Sequence, residues 1–525
     1  MGEQDKKSKS RTGENKTFMS KVTGFVKSKA FSIILSVIHI LLTIVMLGVV
    51  LYINMLPLRF FIPICLVLLL ICAMAFLMAY SRKCKYVGKF MSLVMIIVTS
   101  IGTYYAVYAS GTFEGLAGAD TKKDVINIYV MKADSAQDLT EAKDYTFGIL
   151  SVLDRANTDK TVDKIEEQLG ESIKTEEYEG YIQLAEALYE GEVEAIILNS
   201  AYVAQIEENE EFASFSSLTR VLLQTTHESQ LTVDNSIDVS KEPFAMYLSG
   251  IDIEGEVSTT SRSDVNIIAI INPETRQILL VNTPRDYWVP LSISDGVKDK
   301  LTHAGIYGID VSMDTLEMLY DVELDYFFRI NFTGFKEVID ALGGITVYSE
   351  YDFHSTYEEY SYVEGYNQLD GAAALAFVRE RYAFLEGDNQ RGRNQMAMIQ
   401  ALVDKAASSS LLNNFTEFMD SIEGSFETSM SSQQISAFVR MQLAEGGSWN
   451  VVTYSVTGEG DHKPVYSMSS TPYVTIPDED SVWKAKKLID MVYAGEILSD
   501  EIIENLDIDD VGEEMTSSDQ LQGED

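Results

Sequence analysis

The chain has 525 residues, 80 acidic against 40 basic side chains, and a formal net charge of −40. That length exceeds one typical domain, so two or three folded units are expected, and the acidic balance speaks against a nucleic-acid partner, whose phosphate backbone needs a basic surface. The three cysteines (Cys65, Cys72, Cys84) all lie between positions 65 and 84, which excludes a disulfide framework or a zinc–thiolate site from everything that follows.

Residues 1–30 are basic, with Lys6, Lys7, Lys9, Arg11, Lys16, Lys21, Lys27 and Lys29. Three long apolar runs follow, at 31–53, 60–80 and about 90–109, each long enough to cross a bilayer as a helix. The first is too long for a cleaved signal peptide and has no small-residue cleavage site. Arg82, Lys83, Lys85 and Lys89 stand between the second and third runs, whereas the link between the first two holds only Arg59. Basic flanks stay in the cytoplasm, so the N-terminus is expected inside, the chain after Ser110 outside, and the protein in the cell membrane as a multi-pass chain. Residues 1–110 contain 13 of the basic and 3 of the acidic residues, which leaves the external part near −50.

Gly111 to Thr121 reads as a tether. From there the pattern alternates strand with helix, and a small α/β accessory unit is expected over 122–235. Its strands are predicted at 126–132, 145–150 and 193–199, and its helices at 160–170 and 180–192. Asp154 and Arg155 within it are weighed as a site, but such a pair reads rather as solvated loop residues, and a docking role is expected for the unit. The polar segment 227–243 is predicted to be a linker.

A larger domain is expected over 243–496, with core strands at 243–252, 265–272, 277–283, 344–349 and 451–460. Helices are predicted at 313–322, 332–344 (closed by the Gly343–Gly344 stop), from about 389 to 407, and at 480–495. The fold class is α/β in the α+β sense: a mixed central sheet flanked by helices, preceded by the smaller α/β unit and three membrane helices. The acidic stretch 497–525 is predicted to be disordered.

The chemistry concentrates where an acidic protein gathers arginine. RERYAFLEGDNQRGRNQ places Arg379, Arg381, Arg391 and Arg393 within fifteen positions. The helix formed by GAAALAF is expected to end near Val378, leaving RER extended so that Arg379 and Arg381 point the same way. Arg391 and Gln395, four apart at the start of the next helix, share a face, and Asp388 stands at its N-cap. Guanidinium forks match phosphate oxygens two at a time. The alternative is that these arginines pair with Glu380, Glu386 and Asp388 on a surface.

A second cluster sits at strand ends: Asp252, Arg262 and Asp264, then Arg285 and Asp286 of TPRD, then Lys300 and His303 of DKLTHAGIYG. Two carboxylates beside an arginine suit Mg²⁺, which takes one or two protein carboxylates and leaves its other positions to water and phosphate. Such a pair ringed by cations is what a pyrophosphate requires. The lone His303 is expected to be a structural hydrogen-bonder.

These motifs, SGID…SRSD, TPRD, KLTHAGIYG, NFTGF, IDALGGI, G…ALAFVRERY and GD..R…Q, in this order over roughly 243–496, resemble the LytR-CpsA-Psr domain of bacterial envelope proteins. The three-span anchor and the extra external unit look most like the streptococcal capsular-polysaccharide members. The pattern departs at Asn394, where many members have arginine. The resemblance implies a phosphotransferase that moves a glycopolymer from an undecaprenyl-pyrophosphate carrier to a peptidoglycan hydroxyl, with other capsule-assembly proteins as further partners and no nucleic acid. It implies Mg²⁺ (or Mn²⁺) on Asp252 and Asp264, and a pyrophosphate held by Arg262, Arg285, Lys300, Arg379, Arg381, Arg391 and Gln395. Arg285, Asp286 and Asp264 are the catalytic candidates, with the general base open between Asp264 and Asp286 and His303 as the less favoured third choice. The polyprenyl tail is expected in a groove between the sheet and apolar helices such as 332–342. Hydrolysis of the pyrophosphate, or a non-catalytic role in regulating capsule assembly, are the other functions to be weighed. A DNA-binding regulator conflicts with both topology and charge.

Overall fold

The computed structural model describes residues 24–231, 236–251, 257, 259–407, 424–468 and 471–506. They fall into two compact units, one within Met1–Glu114 and Ile435–Gly446, the other within Gly115–Gln434 and Gly447–Asp525. Residues 1–23, expected to be the basic cytoplasmic segment, and 507–525 of the expected acidic tail lie outside the described residues.

The first unit holds three helices long and apolar enough to cross a membrane: α1 (Lys29–Ile53), α2 (Leu58–Tyr80) and α3 (Lys85–Leu116). They anchor the chain in the membrane at its N-terminal end. The third begins five residues before the run at 90–109. It can do so because the Lys89 ammonium donates to the carbonyls of Val26 (2.6 Å) and Ser28 (3.2 Å), and it carries on to Leu116 through most of the expected tether. The segment Ile435–Gly446, expected inside the 243–496 domain, groups with these helices. Arg59 donates to the carbonyl of Leu443 at 2.9 Å, and Arg440 to that of Asn54 at 3.3 Å.

The second unit contains two sheets. The accessory one is built from β1 (Thr121–Met131), β2 (Thr146–Leu150), α4 (Arg155–Leu169), β3 (Lys174–Tyr178), α5 (Tyr181–Glu190), β4 (Ala195–Asn199), α6 (Val203–Glu207) and β5 (Thr219–Gln230). Strand order is β3-β2-β4-β1-β5, with β2 parallel to β3 and β4, and β1 antiparallel to β4 and β5. Apolar β1, β2 and β4 are buried, while the charged KTEEY of β3 blunts an exposed edge. The segment from His227 to Gln230, read from sequence as the start of a linker, is the end of β5. It pairs with Lys122–Asp124 and Thr121, and its buried His227 finds a partner inside: His227 Nε2 lies 2.8 Å from Thr161 Oγ1, which is also 3.1 Å from Thr225 Oγ1.

The main sheet comprises β6 (Phe244–Ile251), β7 (Ser263–Asn272), β8 (Gln277–Asn282), β9 (Tyr326–Asn331), β12 (Phe426–Thr428) and β13 (Asn450–Ser455), in the order β12-β9-β6-β7-β8-β13. Pairings of both senses occur: β9 is parallel to β6 and β13 to β8, while the others are antiparallel. The uninterrupted VNIIAIIN run of β7 suits a central strand covered on both faces. One face (Ala245, Tyr247, Ile268, Ile270, Leu279, Val281, Phe327) packs on α8 (Ile309–Tyr320) and α12 (Glu479–Tyr493). The other carries α9 (Phe332–Ala341), the hairpin β10 (Ile345–Ser349) with β11 (Gly365–Leu369), α10 (Gly371–Arg379) and α11 (Asp388–Ala407). These elements share an apolar cluster of Ile339, Ile345, Val347, Phe353, Phe377 and Met398, and α11 lies against β8 and β13.

Three expectations are corrected. Residues 345–349 belong to the separate β10–β11 hairpin, not to the central sheet. β9 and β12 were not predicted; β9 hides Arg329, 2 % exposed, which pairs with Glu427 of β12 and so breaks the apolar pattern. Ordered structure continues past 497 into α13 (Asp500–Asn505), where Ile502, Ile503 and Leu506 cover the main core.

The two sheets are seated on each other. Ile306 of α7 (Leu301–Tyr307) belongs to the accessory core, with Leu184, Tyr202 and Ile206. Lys122 bridges to Asp310 and the Tyr307 carbonyl, both at 3.0 Å, and Thr260 Oγ1 donates to Asp124 at 2.9 Å.

Candidate active site

Three segments at strand ends supply the first half of the site. Arg262 and Asp264 flank the first residue of β7, Arg285 and Asp286 follow β8, and Lys300 immediately precedes α7. An Arg285 terminal nitrogen lies 2.7 Å from Asp264 Oδ2, and Lys300 Nζ lies 3.2 Å from Asp286 Oδ1. Thr302 Oγ1 donates to Asp264 at 3.4 Å. Gly305 allows this approach of α7, since a Cβ there would lie 2.5 Å from the Ser261 carbonyl oxygen. Burial pulls the Arg285 guanidinium down, but Asp264, Asp286, Asp388 and Glu208 outweigh it and hold it above its ordinary range.

The RER segment forms the second half. Helix α10 ends at Arg379, and Glu380 is extended (φ −64°, ψ 130°). Glu380 is fully buried, yet it does not pair with the arginines. Its Oε1 accepts from the backbone N–H of Arg381 (3.0 Å), Tyr382 (2.8 Å) and Ala383 (3.0 Å), and Oε2 accepts from Thr356 N–H (2.5 Å). Burial raises this carboxyl, but those donors prevail and set it below the ordinary glutamate range. The alternation therefore buries the acid and turns its two neighbours outward. Arg379 lies over the Phe332 ring at 4.5 Å and the Tyr357 ring at 4.8 Å, and Arg381 over Tyr382 at 4.6 Å. The Tyr357 and Tyr382 rings are 6.1 Å apart, so both guanidiniums rest on adjacent aromatic faces.

Helix α11 brings Arg391 (7 % exposed) and Gln395 (8 %) to one buried face. Gly392 lets it do so, because a Cβ there would collide with the Asn282 amide at the end of β8. Asp388 is the first residue inside the helix, after Gly387 (φ 51°), and its carboxyl pairs with Arg391. Gln395 Nε2 donates to the Val378 carbonyl at 3.3 Å. Arg393 points elsewhere, to Glu386 (2.7 Å) and Glu350 (3.2 Å). Asn394 is buried against the Phe377 carbonyl.

The halves meet at Asp388. Burial raises its carboxyl above the ordinary range against the opposing pull of Arg391, and the charges of Asp286, Arg285 and Arg381 all reach it. Arg381 in turn feels Arg285. Arg285, Arg381 and Arg391, up to 106 positions apart in the chain, thus surround one spot. The buried Nε–H groups of Arg285 and Arg381 have no hydrogen-bond partner among the described residues. Orphaned buried donors on guanidiniums are what a site prepared for an anion presents.

Asp252, one of the two expected metal ligands, lies outside the described residues. Among the described residues no three His, Cys, Asp or Glu side chains group as a metal site. Asp264, held by Arg285 and Thr302, is the one described carboxylate of the expected pair. A single carboxylate, with or without a second, is compatible with Mg²⁺, which leaves most of its positions to water and phosphate. His303 is 1 % exposed, with Nδ1 2.7 Å from Asp299 and 2.8 Å from Ser467 Oγ. That network ties α7 to the 464–468 loop through Nδ1. Sequence reading missed the ring platforms, the fastening role of Glu380 and the partner of Arg262. The last is Glu208, from the accessory unit.

Comparison with known proteins fits this arrangement. The model of the LytR-CpsA-Psr family matches residues 212–487, more than half of the chain. The chain belongs to the LytR-CpsA-Psr family. A second model, of a DNA polymerase processivity factor, matches residues 81–198; that range joins α3 to the accessory sheet and stops before β5, so it corresponds to no folded unit. Among curated relatives, the polyisoprenyl-teichoic acid–peptidoglycan teichoic acid transferase TagU of Bacillus licheniformis is 34% identical over 200 residues, 38% of this chain and 64% of its own length. The enzyme of the same name from Enterococcus faecalis is 33% identical over 212 residues, 40% of this chain and 67% of its own. The chain thus spans about two thirds of these relatives. The crystal structure of B. subtilis TagV covers 49% of this chain and 99% of its own, at 26% identity and a TM-score of 0.41.

Proposed function

We propose that this LytR-CpsA-Psr protein is a membrane-anchored phosphotransferase that attaches capsular polysaccharide, or a similar glycopolymer, from an undecaprenyl-pyrophosphate carrier to peptidoglycan. The observation that supports it best is the convergence of Arg285, Arg381 and Arg391 with orphaned buried donors. The names of the TagU relatives describe a transfer of that class.

In the reaction, an N-acetylmuramic acid hydroxyl attacks the sugar-linked phosphorus and undecaprenyl phosphate leaves. Arg285, Arg381 and Arg391, with Arg262, Arg379, Lys300 and Gln395 around them, grip the diphosphate oxygens and neutralise the charge that grows on the departing phosphate. Asp264, together with Asp252, would hold Mg²⁺ or Mn²⁺, which adds Lewis-acid polarisation of a phosphoryl oxygen. Asp286 stands beside Arg285 and Lys300 as a proton acceptor for the attacking hydroxyl. The polyprenyl tail would lie against the second face of the main sheet, where Met246, Leu248, Phe328 and Ile330 are only half-buried. Each buried methylene would add about 0.8 kcal/mol. The basic flanks of α1 and α3 orient the N-terminus to the cytoplasm and the second unit to the outside, where carrier and wall both lie.

The test is complementation of a strain lacking the gene with the full-length Arg285→Ala chain. The expected result is a folded, membrane-bound protein with no wall-linked polymer. Persistence of normal wall-linked polymer would favour a non-catalytic role in capsule assembly. Accumulation of released polymer in the parent strain, in place of linked polymer, would favour hydrolysis.

A further inference from the structure

One acid in the cation cluster comes from outside the main domain. Glu208, the residue following α6, pairs with an Arg262 terminal nitrogen, and its charge also reaches Arg285. The other acids engaged there, Asp264, Asp286 and Asp388, all belong to the main domain. The contact is built. Helix α6 is pinned by Ile206 in the accessory core, Tyr202 beside it packs on Tyr307 of α7 at 6.2 Å, and Ile306 shares the same core. The accessory sheet is therefore fixed against the loop that carries Lys300, and it holds Glu208 at the edge of the site.

A carboxylate in this position works against an anionic ligand. Arg262 gives one terminal nitrogen to Glu208, and like charges confined within a few ångströms repel strongly where water is partly excluded. Glu208 has somewhere to go, since its side chain is 34 % exposed while that of Arg262 is 21 %. Rotation into solvent needs only side-chain torsions and no movement of the fixed accessory sheet.

We propose that Glu208 is a residue of the diphosphate site, contributed by the accessory unit. It occupies Arg262 as an anionic placeholder until phosphate oxygens displace it, and so sets how tightly the site holds an anion. The inference rests on the reading of the arginine cluster as a diphosphate site. It gives the 122–235 segment a part in the chemistry that its own sequence does not disclose.

The experiment titrates inorganic pyrophosphate into the detergent-solubilised full chain by calorimetry. Glu208→Gln is expected to bind about tenfold more tightly than the parent, a change of roughly 1.4 kcal/mol in binding free energy. The gain should shrink as salt is raised. In an Arg262→Ala background, where there is nothing to mask, Glu208→Gln should change affinity less than about threefold. Unchanged or weaker binding by Glu208→Gln, with the parent binding normally, overturns the proposal. An undiminished tenfold gain in the Arg262→Ala background also overturns it, because the carboxylate would then act elsewhere. Failure of parent and variant alike to bind pyrophosphate overturns the site reading, and this one with it.

Discussion

Replacing Glu380 by glutamine removes one charge and almost no volume, which makes it a sharp probe of how the arginine loop is held. The glutamine oxygen can take over the three N–H groups of Arg381, Tyr382 and Ala383 that now point at Oε1. Its amide nitrogen then faces the Thr356 N–H, which donates to Oε2 at 2.5 Å. Two donors opposed in a fully buried pocket leave one unsatisfied, at about 1–3 kcal/mol. The remaining bonds lose their charge assistance, roughly 1 kcal/mol each. A total of about 4–6 kcal/mol corresponds to a fall of roughly 10–20 °C in the melting midpoint of a domain this size. Because the folded pKa lies below the unfolded one, the stability Glu380 supplies is present above about pH 4.3 and is lost as pH falls through the folded value. The parent should therefore lose stability on acidification through this range, and Glu380→Gln should lose less. Thermal unfolding of the solubilised chain at pH 7 and pH 4 measures both effects, and pyrophosphate titration measures the displaced Arg381. A variant melting within about 2 °C of the parent at pH 7, with unchanged pyrophosphate affinity, would refute the idea that this carboxylate shapes the loop.

Arg391→Ala should weaken pyrophosphate binding by about tenfold or more, whereas Arg393→Ala, whose partners are Glu350 and Glu386, should leave it within about twofold; titration of both variants checks the contrast. Gly392→Ala should destabilise the chain by about 1–3 kcal/mol through its clash with Asn282, and Asn282→Ala in the same chain should recover most of that in a melting experiment. Burial pushes the Asp154 carboxyl up to about 6, so its stabilising contribution is complete below about pH 4 and disappears as pH rises through 6. Asp154→Asn, which tolerates the same left-handed backbone (φ 53°), should flatten that part of the melting-temperature profile.

Some of this architecture was readable residue by residue. The four-residue spacing of Arg391 and Gln395 put both on one face, and the break after GAAALAF exposed the arginines on either side of Glu380. The apolar runs of β6, β7 and β8 declared a buried sheet. What stayed hidden depended on partners distant in the chain. Arg329 made β9 look too polar for a core, yet Glu427, 98 residues away, neutralises it there. His227 and the polar residues after it made the end of β5 look like a linker, although Thr161 of α4 supplies the histidine with a partner. Glu208 and Arg262, 54 positions apart, lie on segments flanking different sheets, and no local pattern announces their pairing. The Tyr357 and Phe332 faces beneath Arg379 left no periodic trace either.

The burial of Ile306 among accessory residues has a practical corollary for anyone wishing to dissect the chain. Cutting at the boundary between the two sheets would strip a greasy residue of its cover at the very loop that presents Lys300. A truncated protein lacking 122–235 would then fail for reasons of solubility, and its failure would say nothing about catalysis. The same shared wall explains why the segment cannot be treated as a detachable cassette: whatever replaces it must bring its own lid for α7.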